Sequence, residues 1–86
     1  MDIRVQFGKS LRKLRHGRGL SQEELAFRAG MHVTYLSDLE RGLNNPSLAM
    51  LVDLARGLAV HPSELLLELR PGKAPSPTKR KRPKQL

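Results

Sequence analysis

Side chains that can donate hydrogen bonds to phosphate are concentrated around one short segment of this chain. They are Gln22, Tyr35, Arg41, Asn44 and Asn45. Amide, phenol and guanidinium groups can each donate to a phosphate oxygen. Such residues also occur on ordinary solvated surfaces, but their grouping around a helix predicted to end near residue 41 favours contact with a nucleic-acid backbone.

The residue types that perform catalysis or bind metals lack the necessary spacing. His16, His32 and His61 lie in separate segments, with no histidine pair four residues apart and no carboxylates arranged for zinc. The chain contains no nucleophile elbow, and 86 residues leave little room for an enzyme pocket. We therefore expect neither enzymatic activity nor a cofactor.

The net charge of +8 is distributed unevenly along the chain. Residues 70–86 carry seven lysines and arginines and no acid, whereas residues 1–69 carry nine basic and eight acidic side chains. Six of those nine basic residues fall within the first eighteen positions. The position of the charge, more than its total, therefore favours nucleic acid as the partner.

Composition indicates one small domain followed by a tail. The chain has no cysteine, which excludes a disulfide framework and a cysteine-ligated zinc finger. It also lacks an apolar run long enough to span a bilayer and an apolar signal-peptide core, so we expect a cytoplasmic, nucleoid-associated protein. Residues 1–69 should form the domain. Residues 70–86 contain four prolines and one large apolar residue, Leu86, and we expect them to be disordered because they can bury too little surface.

Residues 20–42 have the pattern of two short helices joined by a glycine turn. Ser21 can cap the first helix while Glu24 reaches back to the cap, which forms a capping box. Gly30 can end that helix in the left-handed conformation, and Gly42 can end the second, which should run to about Arg41. This pattern predicts a helix-turn-helix, a unit that binds DNA.

Three further helices follow from apolar periodicity. The first runs from about Ile3 to His16, and Gly8 beside its apolar stripe suggests close approach by another helix. The fourth begins near residue 46 or 47. Its expected buried residues are Leu48, Leu51, Leu54, Ala55 and Leu58. The fifth should begin at Pro62 and run to about Leu69.

The helix-turn-helix positions identify a family resemblance. The diagnostic residues are Leu25, Ala26, Ala29, Gly30, Met31, Leu36 and Leu39. Together with residues 7–15, 45–48 and 61–66, they resemble the Cro/C1 (XRE) family of phage and bacterial repressors over roughly residues 3–69. The resemblance implies an all-α, compact five-helix, lambda-repressor-like domain with the helix-turn-helix at helices two and three. The family pattern also implies glycine near position 59 and serine near 61, where this chain has Ala59 and His61, so Gly57 could end helix four early.

The resemblance also implies which side chains contact bases. They are His32, Val33, Thr34, Ser37 and Asp38, with Gln22 holding a phosphate. Methyl groups of Val33 and Thr34 suit thymine, although Val33 could instead turn into the core. Phosphates repel a carboxylate, so we favour an ion pair between Asp38 and Arg41 over a base contact. His32 could also serve as a helix cap.

Two structural roles complete the expectations from the resemblance. In the family, an arginine late in helix one pairs with a glutamate near the end of the recognition helix, and Arg15 and Glu40 stand at these positions. Relatives often dimerise through the region of helix five, where the candidates are Leu65, Leu66 and Leu69, although core packing could absorb these leucines.

The expected function is sequence-specific binding of duplex DNA by a homodimer that represses or autoregulates transcription. The alternative is an antitoxin or other protein-interaction module with secondary DNA binding. The tail should add affinity through attraction to phosphate, or bind a different acidic partner. Its charges are concentrated in Lys79, Arg80, Lys81, Arg82 and Lys84.

Overall fold

The structure is a computed structural model that describes residues 2–70 and residue 72. Within those residues it contains four α-helices and one 3₁₀ helix, and no strand. They are α1 (Ile3–Gly17), α2 (Gln22–Ala29), α3 (Val33–Glu40), α4 (Leu48–Leu58) and the 3₁₀ helix Pro62–Leu65. The all-α class is therefore confirmed, but the expected fifth α-helix is a single short 3₁₀ turn. None of the described helices is long and apolar enough to cross a membrane.

The helix-turn-helix is formed by the local signals expected from the sequence. Ser21 accepts the backbone N–H of Glu24 at 3.0 Å, and the Glu24 carboxylate accepts that of Ser21 at 2.9 Å. Gly30 ends α2 in the left-handed conformation. These two signals fix both ends of α2 and therefore the turn that leads into α3.

The core lies between two helix pairs, α2 on α4 and α1 on α3. Its seven largest fully buried side chains are Leu11, Leu25, Leu36, Leu39, Leu54, Leu58 and Leu65. Gly8 is where α1 crosses the end of α3, because a Cβ atom at Gly8 would lie 2.5 Å from the carbonyl oxygen of Glu40. The expected close approach at Gly8 is confirmed.

Two expectations for α4 are wrong. Gly57 does not end the helix; it lies inside α4, where a Cβ atom would come within 2.9 Å of Leu25 Cδ1 on α2. Leu48 is 80% exposed rather than buried. The buried side of α4 is centred on Leu54, Ala55 and Leu58, whereas Leu48 is the first residue of the helix, nearly two turns before Leu54.

The predicted fifth helix is shortened by tertiary contacts. After Leu65 enters the core, residues 66–68 form a turn and the chain runs along α1. There the Gln6 side chain accepts the N–H of Arg70 at 2.6 Å and donates to its carbonyl at 3.1 Å, while Lys13 pairs with Glu68 at 3.0 Å. These contacts with α1 fix the chain as far as Arg70, the first residue of the predicted tail.

Ala59 ends α4 in the left-handed conformation, with φ +58° and ψ +42°. Because this conformation costs an alanine about 1–2 kcal/mol but costs glycine little, we expect Ala59→Gly to raise the free energy of unfolding by about 1 kcal/mol. Urea unfolding measures the change. Gly30→Ala, made at a left-handed position of similar geometry, should have the opposite sign, and equal signs would contradict this explanation.

Candidate nucleic-acid interface

The N-terminal half of α3 presents polar side chains to solvent. His32 caps the helix, because its Nδ1 accepts the backbone N–H of Thr34 at 3.1 Å. In this neutral tautomer the proton lies on Nε2, so the exposed ring keeps one donor for a base or phosphate. Thr34 is exposed, and Ser37 is half-buried on the same short helix.

Two of the proposed base-contacting residues, Val33 and Asp38, already make contacts within the protein. Val33 is half-buried and packs against the core, which leaves only part of its side chain at the surface. Asp38 Oδ1 lies 3.7 Å from Arg41 Nη1, which is the ion pair favoured from the sequence. Because Arg41 is largely exposed, this pair contributes little to stability, and its arginine can turn towards another anion.

The loop that follows α3 is held beside the helix. The Tyr35 hydroxyl donates to the carbonyl oxygen of Asn45 at 3.4 Å, and the side chains of Asn44 and Asn45 lie half-buried and exposed, respectively. Tyr35 therefore connects α3 to this loop.

The structure pairs Arg15 with Glu40 through two hydrogen bonds. Arg15 Nε donates to Glu40 Oε2 at 2.6 Å, and Nη2 donates to Oε1 at 3.0 Å. Both side chains are buried. Arg15 also donates to the Leu20 carbonyl at 2.8 Å, and Gln22 donates to Glu40 at 3.0 Å. This network connects α1, the start of α2 and the end of α3. It therefore fixes the orientation of α3, which is the recognition helix of the helix-turn-helix.

The network also determines the protonation of Glu40. Burial raises the pKa of Glu40, but hydrogen bonds from Arg15 and Gln22 and the charges of Arg15 and Arg12 outweigh burial and hold the pKa below its usual value. A carboxyl group with a lower pKa in the folded than in the unfolded chain stabilises the fold above the unfolded-state pKa. This stabilisation is lost as the pH falls through the folded-state pKa.

We therefore expect the free energy of unfolding to decrease as the pH falls below about 4.3, the usual pKa of a glutamate. Urea unfolding across the acid range measures it, with Glu40→Gln as the comparison because glutamine preserves the shape of the side chain but does not titrate. The curve of the variant should be flatter. Parallel curves would show that Glu40 does not contribute to acid sensitivity.

The predicted tail residues Lys79–Lys84 lie outside the described residues, so the structure does not place them. Sequence reasoning gave no individual role to Arg12, whose side chain lies beside the Arg15–Glu40 network. It also missed the exposed apolar residues Ile3, Leu48 and Val52. The sequence carries no signal for either, because the exposure of Leu48 depends on how the neighbouring helices pack and the position of Arg12 depends on how α1 crosses α3.

The HTH_3 helix-turn-helix family model matches residues 11–65, which include α2, the turn and α3. The chain belongs to this helix-turn-helix family. It is therefore a DNA-binding protein of the helix-turn-helix class. The proteins similar to this chain include control proteins and an uncharacterized transcriptional regulator.

Two relatives and one solved structure illustrate the similarity. Control protein C.BamHI of Bacillus amyloliquefaciens is 42% identical over 66 residues, which are 76% of this chain and 82% of the relative. The uncharacterized HTH-type transcriptional regulator y4dJ of Sinorhizobium fredii is 44% identical, covering 77% and 86% of the two chains. The solved structure is that of the restriction-modification controller protein C.AhdI from Aeromonas hydrophila, which is 47% identical to this chain and has a TM-score of 0.71. The match covers 72% of this chain and 94% of the C.AhdI chain.

Proposed function

We propose that this protein regulates transcription as a homodimer that binds an inverted-repeat operator, where it represses or autoregulates by blocking polymerase. The observation that carries the proposal is the position of α3. The buried Arg15–Glu40 pair fixes this helix, while the polar side chains of its N-terminal half stay exposed. A major groove about 12 Å wide admits one such helix.

Base contacts come from the exposed side of α3 and from its cap in this proposal. Thr34 and Ser37 supply hydroxyl groups, the exposed edge of His32 supplies a donor, and the exposed part of Val33 contacts the thymine methyl group. Asp38 has the weakest case because Arg41 already lies beside it. Phosphate contacts come from the ends of the neighbouring elements. They are Gln22, Tyr35, Arg41, Asn44 and Asn45.

The homodimer is proposed to form through an exposed apolar face next to the loop that follows α3. This loop carries Asn44 and Asn45 and is called the phosphate-binding loop below. This face consists of Ile3, Leu48, Leu51, Val52, Leu66 and Leu69. Four of these residues, Ile3, Leu51, Leu66 and Leu69, line a groove of about 140 Å³ together with Asn45 and Pro46. Leu48 and Val52 are added to the proposed face because they are exposed on the same helix as Leu51. A second copy is the occupant we propose, because two-fold pairing would bury two identical apolar faces and place both phosphate-binding loops near the symmetry axis.

Leu65 has to be removed from the interface predicted from the sequence. Its side chain is fully buried in the core of its own chain, so it has no surface to lose on dimerisation. Leu66 remains available, with 43% of its surface exposed, and Leu48 on α4 has a larger exposed fraction. The interface therefore draws on α1 and α4 as well as on the segment after Pro62.

We expect Leu66→Gln to weaken DNA binding in a way that raised protein concentration restores, because the change lowers the population of dimer. Leu67→Gln is the matched control. Leu67 is 63% exposed but lines a different groove, with Lys13 and Glu64. Titration of each variant on duplex DNA, with sedimentation of the free protein, measures both effects. An equal response of the two variants would contradict the proposed face.

Among the possible roles of such a regulator, we favour control of a restriction-modification system, because the similar C.AhdI is named as a restriction-modification controller protein. C.BamHI and C.MunI, which are also similar, are named as control proteins. The antitoxin alternative gains no support from the relatives. The basic tail is proposed to add attraction to phosphate, and truncation after residue 69 should then flatten the salt dependence of binding.

A further inference from the structure

Arg12 lies at the edge of the buried Arg15–Glu40 ion pair, but it makes no hydrogen bond to either side chain. Its Nε lies 3.6 Å from Glu40 Oε1, an oxygen that already accepts hydrogen bonds from Arg15 and Gln22. The Arg12 side chain is 60% exposed. Within residues 2–70 and 72 the structure gives the Arg12 side chain no hydrogen bond, so the donors of its guanidinium group remain available.

Charge balance shows that Arg12 is not needed to neutralise Glu40. The buried carboxylate carries one negative charge, and the buried Arg15 matches it with two hydrogen bonds. Arg12 therefore adds a surplus positive charge at the surface of the network. A longer, exposed contact of this kind contributes little to stability, so folding alone is a poor explanation for an arginine at this position.

The position of Arg12 suits phosphate rather than a base edge. Glu40 is the last residue of α3, more than one turn beyond His32 and Thr34, and its side chain is buried rather than turned to the surface that faces a base. Gln22, which shares Glu40 Oε1 with Arg12, is the first residue of α2, where backbone N–H groups lack partners within the helix. An anion at this point would meet a guanidinium group, an amide side chain and the positive end of a helix.

We propose that Arg12 is a DNA-phosphate contact that Glu40 holds in place beside the first turn of α2. The inference rests on the DNA-binding function proposed above. In this arrangement Glu40 has two tasks, since it pairs with Arg15 inside the protein and orients Arg12 towards the DNA backbone outside it. Because phosphate carries no sequence information, Arg12 contributes affinity without altering base preference.

The test compares Arg12→Gln, Arg12→Lys and Lys13→Gln with the unmodified protein. Lys13 is the matched control because it is the next residue of α1, carries the same charge and pairs with Glu68 away from the network. Affinity is measured over a salt series on a duplex selected from random DNA and on its scrambled form. Thermal unfolding of each protein is followed in parallel.

We expect Arg12→Gln to reduce the slope of log K against log salt by about 0.9, with the same fold loss of affinity on both duplexes and an unchanged melting temperature. Arg12→Lys should keep the slope, and Lys13→Gln should change it by less than half as much. An equal change for Lys13→Gln, a loss confined to the selected duplex, or a lowered melting temperature with an unchanged slope would overturn the inference. If the unmodified protein prefers no duplex, the proposed function fails whatever Arg12 does.

Discussion

Removing either partner of the Arg15–Glu40 pair is expected to lower the free energy of unfolding by about 3–5 kcal/mol, because a buried charge loses its counterpart. The larger loss should follow Glu40→Ala. That change leaves Arg15 buried with the Leu20 carbonyl as its main acceptor. Arg15→Ala, in contrast, leaves Glu40 beside Arg12 and Gln22. Chemical denaturation of the two variants measures the difference.

The double variant decides whether the two side chains act as a pair. Because each single change leaves the same interaction broken, Arg15→Ala combined with Glu40→Ala should lose less stability than the two single changes together. DNA binding of the single variants should weaken as well, since α3 loses its attachment to α1. Strict additivity in this cycle would show that the interaction is not energetically coupled and that Glu40 does not fix the recognition helix.

Gly8→Ala is expected to destabilise the protein by about 1–3 kcal/mol, although alanine is the better helix former by about 1 kcal/mol. The new Cβ atom would lie 2.5 Å from the Glu40 carbonyl oxygen and 2.6 Å from that of Leu39, and both atoms belong to the backbone of α3. Since the backbone cannot rotate away as a side chain can, α3 must shift relative to α1. DNA affinity should fall together with stability.

Gly17→Ala is the matched control on the same helix, because a Cβ atom there meets nothing within 4 Å. This variant should be as stable as the original protein or more so, and its DNA affinity should be unchanged. If Gly8→Ala behaved like Gly17→Ala, the helix contact at Gly8 would not be tight enough to position α3.

The parts of the fold that were predictable depend on local chemistry. Ser21 and Glu24 satisfy backbone donors within one turn, and Gly30 adopts a conformation that other residues resist, so the bounds of α2 follow from sequence alone. The short 3₁₀ helix was not predictable, because the segment from Leu66 to Arg70 is held by contacts with α1 that lie more than fifty positions away in sequence.

The end of α4 shows a different limit. A glycine at position 57 and an alanine at 59 suggest an early stop, yet packing against α2 requires a small residue at 57 and the helix continues past it. The chain accepts the strained conformation at Ala59 instead. Helix propensity favoured an end of α4 at Gly57, whereas the packing of α4 against α2 places that end at Ala59.

Two structural features of the candidate interface were predictable, whereas its DNA contacts stay predictions. The Arg15–Glu40 pair is present at the positions the family resemblance implied, and His32 caps α3 as its position suggested. The burial of Leu65 and the exposure of Leu48 could not be derived from apolar character alone, because a leucine serves a core and an interface equally well. Only the packing of the neighbouring helices separates those two roles.

Selection of duplexes from random DNA, combined with the mass of the selected complex, tests the central claim most directly. Two copies related by a two-fold axis would place their α3 helices in successive major grooves. We therefore predict an inverted repeat with half-site centres about 34 Å apart and two chains bound to each duplex. A single unrepeated site occupied by one chain would contradict the dimeric account.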